Sequence, residues 1–372
     1  MVRNRIKKKI LFLFDSRATF AYSANVVKHI NKKIKIQNIL TGSYLDNKFN
    51  INIDYFKKNK IKITKKIKFQ SPDEKRKNWS INLGQAIKKY SIALRELNPD
   101  LVVLTGDRVE TLGFCIACSY MKIPIAHIQA GDKSGHIDDS ARGAIAKFAN
   151  IHFASCEDSK KRLINWGEEP KRVFNVGAPQ LDDIHEMLKI KDKKKNKDKI
   201  LVIFHPVLNE VKELDVQVKN LYLAVTSIFK KNIIWIYPNS DLGFEKITEQ
   251  IKKSKFIKVI KNLNRDDFLN LLLETKIIIG NSSCGIIEAP SFKIPVLNIG
   301  TRQNGRPKAI NIVNSDYSLK DIKEKILYTQ KNNPFNIKIK KTKNIFYKKE
   351  SGKNTAKLIC KLINYINKFK KF

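Results

Sequence analysis

Two stretches of the chain gather side chains able to move a proton or hold an anion. The first, residues 106–139, carries Asp107, Asp132, Asp138 and Asp139 together with Arg108 and His127. Carboxylates held close together acquire separated pKa values, so one can act as base while its neighbour acts as acid. Asp107 follows a five-residue apolar run after a single glycine, at the point where a buried strand would meet solvent, and is read as functional. One of Asp138 and Asp139 is read equally well as the cap of the helix behind it, a position that favours Asp. The second stretch, Gly280-Asn-Ser-Ser-Cys-Gly285, runs from an apolar segment into a helix start and carries Ser282 and Ser283. Unsatisfied backbone N–H groups and the positive end of the dipole make such a start a phosphate site, although an ordinary N-cap uses the same serines. Glu288 follows Ser283 by five residues, about 7–8 Å along a helix, a span that suits a ribose hydroxyl beyond the phosphate. His205, in Phe-His-Pro, either donates to a phosphate or caps its turn.

Such residues act together only if the elements beneath them set them side by side. Short apolar runs alternate with amphipathic stretches, the pattern of βαβ units and a parallel sheet. Strands are expected at 9–14, 35–40, 101–105, 123–127 and 151–154, with helices at 21–30, 83–97, 110–121, 139–150 and 157–166. A lysine-rich stretch at 189–199 has no apolar face and reads as a connector. Beyond it the alternation resumes, with strands at 200–204, 233–237, 256–260, 276–280 and 296–299 and helices at 212–229, at 265–273 and from Ser283. An amphipathic helix within 351–372 closes the chain. The expected fold is therefore α/β: a doubly wound domain over 1–188, a connector over 189–199, a second such domain over 200–350, and the closing helix. In open parallel sheets the ligand lies beyond the carboxyl ends of the strands. By that rule Arg17, Asp107, Arg108, Gln129 and Asp132 share one edge, and His205, Asn239, Asp241, Ser282 and Ser283 share another.

Length and composition agree. A chain of 372 residues exceeds one ordinary core, and 42% hydrophobic content with 9% aromatics argues against disorder. The 73 Lys and Arg against 35 Asp and Glu, a net charge of +38, would ordinarily direct attention to nucleic acid or an anionic membrane. Lys outnumbers Arg about five to one, however, whereas base and phosphate recognition favours the planar Arg fork. The surplus also avoids the candidate loops: residues 101–150 hold five acids and five bases, while 320–372 hold sixteen bases and three acids. Neither a nucleic-acid nor a membrane partner is expected. The apolar run at 10–14 is shorter than the 7–15 residues of a secretory core and far short of the ~18–20 that span a bilayer. Five irregularly spaced cysteines fit a reduced, cytoplasmic protein, with Cys115 and Cys118 read as small core residues.

The motifs in combination resemble the UDP-N-acetylglucosamine 2-epimerase family, in particular its hydrolysing branch from sialic and legionaminic acid biosynthesis. The likeness rests on Gly-Asp-Arg at 106–108, Ala-His-Ile-Gln-Ala-Gly-Asp at 126–132 and Ser-Gly-His-Ile-Asp-Asp-Ser at 134–140. It continues through His-Pro-Val at 205–207, Tyr-Pro-Asn-Ser-Asp at 237–241, Gly-Asn-Ser-Ser-Cys-Gly-Ile-Ile-Glu at 280–288 and Gly-Thr-Arg-Gln-Asn-Gly-Arg at 300–306. It implies a GT-B fold with the nucleotide sugar in the cleft between two Rossmann-like domains. It also implies elimination of UDP followed by hydration to a free N-acetylmannosamine-type sugar, with no metal or redox cofactor and a homodimer or homotetramer. Asp107 and Asp138 would be acid/base residues supported by Arg108. Arg17, His205, Asn239, Asp241, Ser282, Ser283, Arg302 and Arg306 would hold the substrate, and Glu288 the ribose.

Four positions depart from the family pattern. Gln129 stands where Glu or His is usual, and an amide cannot exchange a proton at neutral pH, so Asp132 is the candidate to replace it or the substrate differs. Arg17-Ala-Thr-Phe20 replaces the usual Arg-Ala-Asp-Tyr, and Gly143 follows Arg142 where His is common. A UDP- or GDP-linked 2,4-diacetamido-2,4,6-trideoxyhexose is the alternative substrate. The rival activities are a non-hydrolysing epimerase and a GT-B glycosyltransferase, and the rival outside enzymes is a basic polyanion-binding protein.

Overall fold

A computed structural model describes residues 7–45, 53–68, 79–135, 138–190, 197–239, 241–252, 254–330 and 334–366, with the side chains of Trp79 and Asp138 outside that description. Most of the lysine-rich connector, together with His136 and Ser240, also lies outside the described residues. The chain forms two compact units. The first comprises residues 1–132, 138–183 and 346–372, and the second 133–137 and 184–345.

The first unit holds β1 (Lys9–Phe14), α1 (Arg17–Val27), β2 (Lys35–Leu40), α2 (Asp54–Lys58), β3 (Lys65–Lys66), α3 (Trp79–Leu97), β4 (Leu101–Thr105), α4 (Val109–Tyr120), β5 (Ile125–Ile128), α5 (Asp138–Phe148), β6 (Ile151–Ala154), α6 (Glu157–Asn165) and β7 (Val173–Asn175). Its seven strands pair in parallel in the order β3-β2-β1-β4-β5-β6-β7. Central strands read as unbroken apolar runs because helices cover both faces of such a sheet. Leu101 to Leu104 and Ile10 to Phe14 are all buried. One face packs Phe12, Phe14, Phe20 and Phe56, the other Leu11, Leu13, Tyr90, Leu94 and Phe114. Cys115 and Cys118 are fully buried on α4 as small core residues.

Helix α7 (Leu181–Ile190) runs across the division between the units. The second unit continues with β8 (Lys199–Ile203), α8 (Leu214–Ile228), β9 (Ile233–Ile236), α9 (Phe244–Lys252), β10 (Ile257–Ile260), α10 (Arg265–Glu274), β11 (Thr275–Gly280), α11 (Ser283–Ile287), α12 (Ala289–Phe292), β12 (Val296–Ile299), β13 (Ile312–Ser315), α13 (Leu319–Gln330) and α14 (Pro334–Ile339). Its six parallel strands are ordered β10-β9-β8-β11-β12-β13 around a core that includes Val202, Phe204, Trp235 and Leu297.

The closing helix α15 (Ser351–Leu362) was expected as a separate element, and the structure corrects this by packing it into the first unit. Ala356, Ile359, Ile363 and Ile366 enter the core beside Phe12 and Ala24. Each large apolar side chain so buried contributes about 1.5–3 kcal/mol. The Asp182 carboxylate accepts from the backbone N–H groups of Ser351 at 3.0 Å and Gly352 at 2.7 Å, satisfying donors that a helix start otherwise leaves bare.

Strand order reverses between β1 and β4 in the first sheet and between β8 and β11 in the second. These switch points are where a doubly wound sheet opens a crevice at its carboxyl edge. Asp107 and Arg17 flank the first, and His205 and Ser282 flank the second.

Candidate active site

At the first switch point, β4 leads into Gly106, whose φ of +79° turns the chain so that Asp107 follows outside the strand. Two hydrogen bonds hold that turn. The Gly106 N–H donates to the Ile128 carbonyl at 3.3 Å, and the His127 ring Nε2 lies 2.7 Å from the Gly106 carbonyl. Burial pushes the His127 pKa down to about 4, so the ring is neutral at physiological pH and donates through Nε2–H. His127 therefore shapes the turn from beneath.

The Asp107 carboxylate accepts from Arg142, a residue of α5 that is itself 3% exposed. Arg142 also donates through Nη1 to Asp139 Oδ1 at 2.7 Å and to the Asp132 carbonyl at 2.8 Å. Arg108 Nε lies 3.4 Å from the buried Glu110 carboxylate. On the adjoining end of β1, Asp15 is fully buried and accepts from the Thr111 hydroxyl at 2.6 Å. Burial pulls the Arg17 guanidinium below its ordinary range, with the Tyr44 hydroxyl pulling the other way. Thr19, in the place of an expected carboxylate, accepts from the Asp15 and Ser16 N–H groups and so braces the start of α1.

Asp132 does not join Asp107 through its side chain. Its Oδ1 accepts from the hydroxyls of Ser155 at 2.5 Å and Ser159 at 2.7 Å, which ties it to the turn after β6 and the first turn of α6. Gln129 follows β5 in a left-handed conformation, φ +59°, and is 5% exposed. Its amide Nε2 finds no acceptor among the described residues. Asp138 heads α5, and its side chain lies outside the described residues.

At the second switch point, Gly280 ends β11 with φ +132°, and an added Cβ would lie 2.1 Å from the Ile203 carbonyl. Only glycine fits there. The next residue, Asn281, is fully buried and bonds both sides of the His205 main chain, accepting from its N–H at 2.7 Å and donating to its carbonyl at 2.8 Å. The Asn239 N–H donates to His205 Nδ1 at 3.0 Å, so the neutral ring carries its proton on Nε2. The Asn281 carbonyl accepts from Arg302 Nη1 at 3.3 Å and Gln303 Nε2 at 2.9 Å, and Arg306 donates to Gln303 at 3.1 Å. Asp241 lies 3.9 Å from Arg302 Nη2. Ser282 caps α11, accepting from the Cys284 N–H at 3.4 Å, and Ser283 is the first helical residue. Glu288 is 8% exposed and ion-paired with Arg265, so one of its oxygens already has a buried cationic partner.

The structure thus gathers Asp107, Arg108 and Asp139 at the first edge, with Arg17 at the start of α1 and Gln129 just after β5. At the second it gathers His205, Asn239, Asp241, Ser282, Arg302 and Arg306. Sequence reasoning did not place Arg142, Asn281, Arg265 or Glu110 in the site. Arg142 carried one local signal, its i,i+3 spacing from Asp139, which suits an ion pair on a helix. Among the described residues no group of His, Cys, Asp and Glu is arranged to hold a metal ion, and no helix is long and apolar enough to cross a membrane.

Comparison with known proteins adds an independent finding. The profile of the UDP-N-acetylglucosamine 2-epimerase family matches residues 28–360. A Campylobacter jejuni protein named GDP/UDP-N,N'-diacetylbacillosamine 2-epimerase (hydrolyzing) is 35% identical over 326 residues, covering 83% of this chain and 85% of the relative. A Legionella pneumophila protein named UDP-N,N'-diacetylbacillosamine 2-epimerase (hydrolyzing) is 32% identical over 322 residues, with the same coverage. The crystal structure of UDP-GlcNAc 2-epimerase from Neisseria meningitidis bound to UDP-GlcNAc superposes with a TM-score of 0.79 at 17% identity, covering 95% of this chain and all of that one. The fold is accordingly α/β of the GT-B type, built from two Rossmann-like domains.

Proposed function

The chain belongs to the UDP-N-acetylglucosamine 2-epimerase family, and on that premise we propose that it is a hydrolysing nucleotide-sugar 2-epimerase, releasing UDP and a free ManNAc-type sugar from UDP-GlcNAc or a related 2-acetamido sugar. The observation that carries this reading is the division of chemistry between the two switch points: carboxylates at the first, neutral and cationic donors at the second.

The reaction needs both kinds of group. A leaving diphosphate develops negative charge, and preorganised donors lower the barrier to its departure. His205 Nε2–H, the Ser282 and Ser283 hydroxyls and Arg302 supply them, with Arg17 as a further cation, and Asn239, Asp241 and Arg306 complete the binding set. The Asp107 carboxylate takes the proton from C2 of the sugar. The C–H electron pair forms the C1=C2 bond as the C1–O bond breaks and UDP leaves. Water then adds at C1 while a proton returns to C2 from the opposite face, which inverts that centre. Asp138 is the partner acid proposed for that return, with Arg108 beside the carboxylates. Gln129 orients the sugar, since its amide donor has no acceptor of its own. Glu288, oriented by Arg265, is proposed to meet the ribose. The protein is further proposed to be a cytoplasmic homodimer or homotetramer, which light scattering and cell fractionation test.

A second reading of the substrate, a UDP- or GDP-linked 2,4-diacetamido sugar, is favoured by the names of the Campylobacter and Legionella relatives. One experiment tests both. The protein is incubated in D2O with UDP-GlcNAc and with the diacetamido analogues, while nucleotide release and the sugar are followed by proton NMR. Free 2-epimerised sugar with deuterium at C2 is the expected result. Epimerised sugar still attached to UDP would move the assignment to a non-hydrolysing epimerase. No turnover of any of these sugars overturns the proposal.

A further inference from the structure

We infer that Arg142 is the positioning residue of the proton-moving site, holding the Asp107 carboxylate in register with the start of α5 through one buried guanidinium. The inference rests on the reading of Asp107 as the group that takes the C2 proton.

Arg142 stands one turn into α5, and its acceptors come from three segments that are separate along the chain. Asp107 belongs to the turn after β4, the Asp132 carbonyl to the loop after β5, and Asp139 to the first turn of α5. A guanidinium is suited to this because it projects several N–H donors in a fixed plane, whereas a Lys ammonium is a single point charge on a flexible stem. Asp132 Oδ1 is held by Ser155 and Ser159, away from Asp107, and residue 129 is an amide. Arg142 is the donor seen on the Asp107 carboxylate, and in this reading it acts through that carboxylate.

The arrangement also suits the charge change of the reaction. Two carboxylates brought together repel, and a buried cation between them offsets that repulsion. Arg142 with Asp107 and Asp139 carries a net charge of −1. When Asp107 takes the C2 proton the group becomes neutral, and Arg142 keeps Asp139 as its anionic partner. The guanidinium is never left buried without a counter-charge, the state that costs most.

The test uses the full chain with Arg142→Lys, Arg142→Ala and Asp139→Asn, and their folding is compared with the wild type by thermal melting. Misplacing a reacting group by about 1 Å costs on the order of 100-fold, so kcat should fall by about that factor in Arg142→Lys while KM and the Kd for UDP stay within about threefold. Added guanidinium ion at millimolar concentration should restore part of the activity of Arg142→Ala, which no merely structural role explains. Asp139→Asn, which leaves Arg142 on Asp107, should cost about tenfold. Unchanged kcat in Arg142→Lys, or a loss that tracks the unfolded fraction alone, overturns the inference. A Tm cycle of Arg142→Ala with Asp107→Asn supplies a readout free of turnover. Losses smaller together than their sum are expected, and strictly additive losses overturn the inference whatever the enzyme does. Wild-type protein that turns over neither sugar would instead overturn the function proposed above, with the Tm cycle still deciding whether Arg142 holds Asp107.

Discussion

The two strand-order reversals occupy equivalent places in the two sheets, yet they carry opposite chemistry. At the β1/β4 edge four acids, Asp15, Asp107, Glu110 and Asp139, are interleaved with Arg17, Arg108 and Arg142. At the β8/β11 edge a neutral framework, Asn281 bonded to both sides of His205, presents a ring donor and Arg302. Equivalent topology supplies a crevice in each case, and only the residues at the strand ends decide whether it moves a proton or holds an anion. Each edge is set by a different device. A cation braces carboxylates at the first, and an uncharged amide braces the His205 main chain at the second.

The largest way to break this contrast is Asp107→Asn. If the first edge does the chemistry and the second holds the nucleotide, turnover should fall by about 10³-fold or more, while calorimetry shows UDP affinity unchanged. Turnover that survives, or affinity that falls with it, would merge the two roles.

His127 tests the first edge through pH. Its folded pKa of about 4 lies below the ordinary 6.5, so the unfolded chain takes up the proton first as pH falls. The stability His127 contributes is thus complete above pH 6.5 and is lost progressively as pH drops toward 4, about 3 kcal/mol in all. Urea unfolding across that range should show the slope, and His127→Asn should flatten it. An unchanged slope would mean that the ring is not the group responsible.

At the second edge, Asn281→Ala leaves a backbone N–H and a carbonyl of His205 unpaired in a buried place, a loss of about 2–3 kcal/mol. Denaturant unfolding should report that loss, and UDP affinity should fall about tenfold as the His205 main chain, and the ring it carries, shifts. Loss of stability with affinity intact would remove His205 from the binding set. The smallest effect is expected from Gln129→Glu. Another carboxylate at an edge already rich in acids should lower kcat by about three- to tenfold. A gain instead would show that the first edge lacks an acid/base group.

How far the sequence reached can be judged from particular elements. The strands at 9–14, 35–40, 101–105, 151–154 and 296–299 have the boundaries the sequence predicts, because each carries a short, mainly apolar run, unbroken in Leu101 to Leu104 and interrupted by Gln37 and Asn38 in β2. The short edge strands β3, β7 and β13 escaped, since they carry little apolar signal: Lys65–Lys66 is two lysines. Helix α15 was legible as an amphipathic element, but nothing local said which core would take Ile359. Asp107 and His205 were legible as strand-end polar residues. Arg142 was visible only in relation to Asp139, and its bond to Asp107 joins residues 35 positions apart.

By itself, then, the sequence determined the α/β alternation, the polar residues at the strand ends and, through its ordered motifs, the family. Hydrophobic period and turn chemistry are written locally. Tertiary structure alone decided that β4 lies beside β1 and β11 beside β8, that Asp132 turns to Ser155 and Ser159, and that Arg142 and Asn281 are the braces of the two edges. The physical reason is that a charge or a hydrogen-bond donor takes its meaning from its partner, and strand pairing selects that partner from a distant part of the chain.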